Sequence, residues 1–121
     1  MNSFVFDTYA LIEIIQGNDG YASYIDSSVI MNSFILAELC YALIRKLGPQ
    51  KANSYVDKYA PFCIGVTPNT IKEAMLFRAM NIRRSLSMVD CIGYAMAKNL
   101  NVKFLTGDLQ FKDMENVVFV K

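Results

Sequence analysis

A chain of 121 residues that is 54% hydrophobic can bury one substantial core and is too short for two ordinary ones, so a single domain spanning 1–121 is expected. It contains no histidine, which removes the commonest general base, every Ser/His or Cys/His nucleophile pair and nearly all zinc-enzyme ligand sets. The formal net charge of +1 by itself argues neither for nor against a nucleic-acid partner.

The elements alternate along the chain. SFVF at 3–6, SVIMN at 28–32, FCIGV at 62–66, VKFLT at 102–106 and NVVFV at 116–120 read as short buried strands, rich in β-branched and aromatic residues and bounded by turn formers. Helices fill the gaps. The clearest is 33–47, where Leu36, Leu39, Cys40, Leu43, Ile44 and Leu47 form an apolar stripe that Gly48-Pro49 ends. Further helices are expected at 50–59, at 69–84 and from Ser87 to about Leu100. Gly93, inside the last of these, predicts a close approach to a neighbouring element, because glycine in a helix otherwise costs about 1 kcal/mol against alanine. Continuous apolar strands alternating with helices imply a mostly parallel sheet covered on both faces.

No apolar stretch reaches the roughly 20 residues of a membrane span. The opening NSFVFDTYALIEII lacks the basic start of a signal peptide and soon meets an acid, so a cytoplasmic location is expected. Cys40, Cys63 and Cys91 are odd in number, widely spaced and set among apolar residues, which fits reduced core thiols. The seven methionines are scattered and read as core filling.

Four carboxylates stand out. Asp7, Glu38, Asp90 and Asp108 each sit in apolar or turn-forming sequence with no basic residue placed to neutralise them. One helical turn either side of Glu38 lie Phe34, Ile35, Tyr41 and Ala42, so no intrahelical ion pair is available. An unpartnered buried carboxylate shifts its pKa or finds a cation. A divalent ion held by several such groups satisfies them together, and oxygen ligands suit Mg2+ or Mn2+. Open parallel sheets bind ligands beyond the carboxyl ends of their strands, where Asp7 and Asp108 follow strands and where the helix starts bearing Glu38 and Asp90 converge. The blander alternative for the three aspartates is capping, and Ser87-Met88-Val89-Asp90 has the spacing of a capping box.

These residues resemble a family. FVFDTYALIE, LAELCYAL, SMVDCIGYAMAKNLNVKFLTGDLQF and NVVFV look like a PIN domain, the metal-dependent nuclease module of many VapC-type toxins, and the likeness covers nearly the whole chain. It implies a three-layer α/β/α fold with a five-stranded parallel sheet of order 3-2-1-4-5. It implies that Asp7, Glu38, Asp90 and Asp108 are the metal-binding and catalytic quartet, with Thr106 and Ser87 as polar supports. An RNA substrate, pairing into a homodimer and, for toxin-like members, an antitoxin protein are implied in the same way. The chain departs from the pattern once: many members carry a further acid two positions after the last, where this chain has Gln110. That leaves a second ion without an obvious ligand, since Asp113 reads as an exposed loop carboxylate.

The chemistry expected is hydrolysis of single-stranded RNA, in which a bound ion acidifies water and clamps the phosphate without histidine. Asp7 and Asp108 are expected as the direct ligands, close enough for their charges to couple, with Asp90 and Glu38 completing the set. If four of the eleven acids are sequestered, seven face twelve basic residues and the remaining surface is about +5. Arg83 and Arg84, just ahead of Ser87, are expected at the mouth of the site as RNA contacts. Helices 33–47 and 50–59, with Tyr41, Tyr55, Val56 and Tyr59, are the expected dimer surface. A haloacid-dehalogenase-like phosphotransferase is excluded by Tyr9, where a second aspartate is required. A phospho-receiver is excluded because Lys121 comes too late. A non-catalytic module of the same fold, binding RNA or a partner protein, is the alternative that metal dependence would separate.

Overall fold

The computed structural model describes residues 2–121, and its frame is a four-stranded parallel sheet. β1 (Ser3–Phe6) lies between β2 (Ser28–Ile30) and β3 (Lys103–Thr106), and β4 (Val117–Phe119) flanks β3, giving the order β2-β1-β3-β4. The helices are α1 (Thr8–Ile15), α2 (Ser33–Leu47), α3 (Pro49–Tyr59), α4 (Pro68–Met80) and α5 (Met88–Asn99). Among the described residues no helix is long and apolar enough to cross a membrane.

Four strands replace the five expected. The segment 62–66 makes a single parallel bridge, Met31 with Cys63, rather than a strand. The tight 3-10 turn Ala60–Phe62 takes up the start of the segment, and among the described residues only Met31 pairs with it, its N–H donating to the Phe62 carbonyl at 3.2 Å and its carbonyl accepting the Ile64 N–H at 2.9 Å. What remains of the expected order 3-2-1-4-5, once its outer edge strand is removed, is the order observed. The second strand is also shorter than 28–32, because Asn32 leaves it to cap α2, its Oδ1 accepting the Ile35 N–H at 2.9 Å. The helix expected over 69–84 stops at Met80. A 3-10 turn, Ile82–Arg84, follows, and Ser85 then adopts a left-handed φ of 57°.

Strand periodicity sorts the two faces. Phe4 meets Tyr24 edge-on, and Phe6 lines a cavity with Leu11 and Ile14, so α1 and the turn after it cover that face. Val5 and its register partner Phe104 point the other way, where Phe104 packs against Tyr94 of α5. Gly93 makes this contact close: a Cβ there would come within 2.9 Å of the Phe104 ring and 3.3 Å of the Ile35 Cδ1. The approach expected of Gly93 is therefore seen, and it brings α2, α5 and β3 together at one point.

The aromatic surface expected on α2 and α3 is only partly outside. Tyr59 is buried, Tyr55 and Val56 are half-buried, and Tyr41 alone of the four is exposed, at 64%. Larger exposed apolar side chains gather around the end of α4, at Leu76, Met80 and Ile82.

Candidate functional site

The alternation that sends Val5 and Phe104 to the α5 face carries two residues further to Asp7 and Thr106. With Val5 opposite Phe104, Asp7 falls opposite Thr106, and the Thr106 hydroxyl donates to Asp7 Oδ2 at 2.7 Å. The Asp7 N–H continues the ladder to the Leu105 carbonyl at 2.9 Å. Asp7 occupies the N-cap position of α1 but makes no side-chain cap bond. The capping explanation thus fails for this residue.

Glu38 and Asp90 arrive from the helix crossing at Gly93. Glu38 lies three residues after Ile35 and so shares its face of α2, while Asp90 sits in the first turn of α5. Carboxylate oxygens of Asp7, Glu38 and Asp90 all lie within 4.8 Å of one another. Asp7 is buried and the other two are half-buried. Asp90 also completes the expected capping box: its Oδ2 accepts the Ser87 N–H at 2.9 Å, and its own N–H donates to Ser87 Oγ at 3.0 Å. Cap and cluster are not alternatives here, since one oxygen serves the cap and the carboxylate still faces the other acids.

Asp108 stands beside this group rather than within it. Its N–H donates to Thr106 Oγ1 at 3.0 Å, and its Oδ1 accepts the Gln110 N–H at 2.9 Å, capping the 3-10 turn Leu109–Phe111. Thr106 consequently touches both aspartates. The direct coupling expected between Asp7 and Asp108 is replaced by coupling among Asp7, Asp90 and Glu38. Asp113 is exposed and is not a member of the three-carboxylate group.

Electrostatics follow this geometry. Burial pushes the Asp7 carboxyl up to about 8, the charges of Asp90 and Glu38 add to the rise, and the Thr106 hydroxyl and Thr8 N–H oppose it. Burial also raises Asp90, helped by Glu38 and Asp108 and opposed by its bonds to Ser87. Among the described residues the only ion pair joins Lys98 and Glu115 at 3.0 Å, so no cationic side chain compensates the cluster. The set of donors is all oxygen and carries excess negative charge, which fits a hard divalent cation.

Arg83 and Arg84 are exposed on the 3-10 turn ahead of Ser87. They are not equivalent, because Arg84 Nη1 donates to the Gln110 carbonyl at 2.9 Å. Three features of the site escape a reading of its acids. Asn32 caps the helix that carries Glu38, and an Asn ahead of an apolar helical run is the signal that could have marked it. Gly107 is packed so tightly that a Cβ would overlap the Tyr9 ring and the Val120 carbonyl oxygen. Thr8 Oγ1 is buried beside Asp7 with no hydrogen-bond partner among the described residues, and nothing local in the sequence signals it.

Fold and site together define an open-sheet α/β domain with an acidic cluster at its carboxyl edge. A family model, PIN domain, matches residues 4–117, and the chain belongs to the PIN-domain family. Its fold is shared with a toxin–antitoxin complex from Klebsiella pneumoniae, at a TM-score of 0.72 and 17% identity over 95% of each chain. VapC20 of Mycobacterium tuberculosis, a sarcin–ricin loop cleaving toxin, aligns at a TM-score of 0.74 and 16% identity, covering 96% of this chain and 98% of that one. VapBC2 of Rickettsia felis, bound to a promoter DNA fragment, gives 0.73 and 16%, covering 97% and 96%. No curated protein matches the chain. At these identities the likeness is one of fold.

Proposed function

We propose that the chain is a single PIN nuclease domain that hydrolyses single-stranded RNA with Mg2+ or Mn2+. The observation that carries this reading is the meeting of Asp7, Glu38 and Asp90 within 4.8 Å, without a cationic partner among the described residues, at the sheet edge where this architecture places its ligands. These three acids would hold the ion, with Asp108 at their flank. A divalent ion bound there supplies an acidified water and charge neutralisation for a phosphodiester. The protein's own share is positional. Thr106 fixes the orientation of Asp7, the Ser87 cap fixes Asp90, and Glu38 is carried on a helix capped by Asn32. The neighbouring toxin that cleaves the sarcin–ricin loop supports RNA as the substrate. The neighbouring toxin–antitoxin complex supports a cytoplasmic toxin with an antitoxin partner. Self-association into a homodimer through helices is part of the same reading.

The test is cleavage of defined single-stranded RNAs, with DNA of the same sequence alongside, in Mg2+, in Mn2+ and in chelator. RNA should be cut with either ion, survive in chelator and survive with the Asp108→Asn protein. RNA left whole in every ion, with binding retained, would return the chain to the non-catalytic module.

A further inference from the structure

We infer that Arg84 is a positioning residue that ties the turn carrying Asp108 to the segment leading into Asp90, while Arg83 is left to meet phosphate. The inference builds on the reading of the acidic cluster as a metal site. Asp108 is the one acid of the four outside the tight group, so its place depends on the turn that bears it. On one side that turn is fixed by Thr106, whose Oγ1 accepts the Asp108 N–H at 3.0 Å and whose hydroxyl donates to Asp7 at 2.7 Å. On the other side Gln110 donates its N–H to Asp108 Oδ1 at 2.9 Å and offers its carbonyl to Arg84 Nη1 at 2.9 Å. A continuous chain of hydrogen bonds therefore runs from Arg84 through Gln110, Asp108 and Thr106 to Asp7.

Gln110 and Leu109 are exposed, so among the described residues the bonds left to this half of the turn without Arg84 are local ones, including that to Asp108 Oδ1, beside the buried Phe111. The strut itself has a fixed base. The Arg84 N–H bonds to the Asn81 carbonyl at 3.0 Å, Ser85 is left-handed, Leu86 is buried, and Arg78 Nε holds the Leu86 carbonyl at 3.1 Å. Arg83 has no hydrogen bond from its guanidinium among the described residues. Two adjacent arginines of the same type thus do different work, one inward and one outward.

The experiment compares Arg84→Ala, Arg84→Lys and Arg83→Ala. In chelator, solvent exchange of the Asp108 and Gln110 amide protons, read by NMR, should quicken about tenfold in Arg84→Ala, the effect of losing one hydrogen bond of ordinary net strength. It should be largely restored in Arg84→Lys, which keeps a donor, and unchanged in Arg83→Ala. Mn2+ titration followed by electron paramagnetic resonance should show several-fold weaker binding for Arg84→Ala only. RNA binding in chelator should lose about 0.7 from its salt slope in Arg83→Ala, as for one phosphate contact on a single strand, and nothing in Arg84→Ala. Unchanged exchange in Arg84→Ala, or a salt slope flattened as in Arg83→Ala, overturns the inference. If the parent binds no Mn2+, the metal reading fails, and the exchange measurement still decides the role of Arg84.

Discussion

Ser87 and Asp90 hold each other by reciprocal bonds, the Ser87 N–H to Asp90 Oδ2 at 2.9 Å and the Asp90 N–H to Ser87 Oγ at 3.0 Å. The pair fixes the start of α5 and, with it, the direction of an acid in the cluster. Asp90→Asn keeps an acceptor for the Ser87 N–H and deletes the charge. The variant should therefore melt within about 1 kcal/mol of the parent in chelator, while RNA cleavage falls by two orders of magnitude or more, as expected for loss of a ligand to the ion that would neutralise the phosphodiester's charge. Loss of activity accompanied by a large loss of stability would assign Asp90 to capping alone.

The metal-free protein should weaken as the pH rises. Folding raises the Asp7 carboxyl from 3.8 to about 8, so the folded chain binds that proton more tightly than the unfolded one throughout this window. Stability from this source is fully present below 3.8 and is lost as the pH climbs through about 8. Asp90 is shifted in the same direction and adds to the trend. Denaturant melts in chelator should show stability falling by a slope approaching about 1.4 kcal/mol per pH unit between the unfolded and folded values of Asp7, 3.8 and about 8, and Asp7→Asn should flatten it and match or exceed the parent's stability at the alkaline end. Saturating Mg2+ or Mn2+ should reverse the loss by mass action, worth about 2.7 kcal/mol at a hundredfold excess over Kd. A parent whose stability rises between pH 5 and pH 8 in chelator would contradict this account.

Gly107 and Gly93 should respond very differently to alanine. At Gly107 the new methyl meets the backbone carbonyl of Val120 as well as the Tyr9 ring, so relief requires the chain itself to move. Gly107→Ala should cost at least about 2 kcal/mol, the range of overpacked cores, and should displace Asp108. At Gly93 the nearest atoms are side-chain carbons of Phe104 and Ile35, and alanine regains about 1 kcal/mol of helix propensity. Gly93→Ala should lie within about 1 kcal/mol of the parent. Thermal denaturation of the two variants side by side gives the comparison.

Sedimentation at about 50 µM, a concentration at which interfaces of ordinary micromolar affinity are filled, should show a dimer. If pairing uses α2 and α3, Tyr41→Glu should produce monomers. If the apolar side chains at the end of α4 are used, Met80→Glu should do so. Monomer alone in the parent would remove self-association from the functional reading.

Much of this molecule was legible because its signals are local. The apolar stripe of 33–47 and the stop at Gly48-Pro49 marked α2 to the residue, and Gly93 disclosed a crossing before any neighbour was known. The acids could be found because unneutralised carboxylates in apolar sequence are conspicuous. Their convergence on one sheet edge could be read as well, but which three make the tight group could not, because it depends on distances set by register and crossing angle: Asp108 turns aside to accept the Gln110 N–H, and Glu38 reaches in from a helix across the site. FCIGV has the composition of a strand, yet its start is taken up by the turn at Ala60–Phe62 and its partner strand ends where Asn32 caps α2, so a single bridge is all that forms. Tyr59 looked like an interface residue and is core, since an aromatic stripe carries no label for which neighbour covers it.

The bond between Thr106 and Asp7 spans 99 residues of sequence, and parallel pairing of β1 with β3 cannot be reached by any hairpin. Topology of this kind folds slowly, because the entropy of a long closure is spent before its contacts form. During synthesis, β1, Glu38 and Asp90 are all made before Lys103–Thr106 exist to seat Asp7 beside them. The nascent chain therefore carries every acid of the tight group without the strand that assembles them, and the cluster cannot form until β3 has been made and inserted.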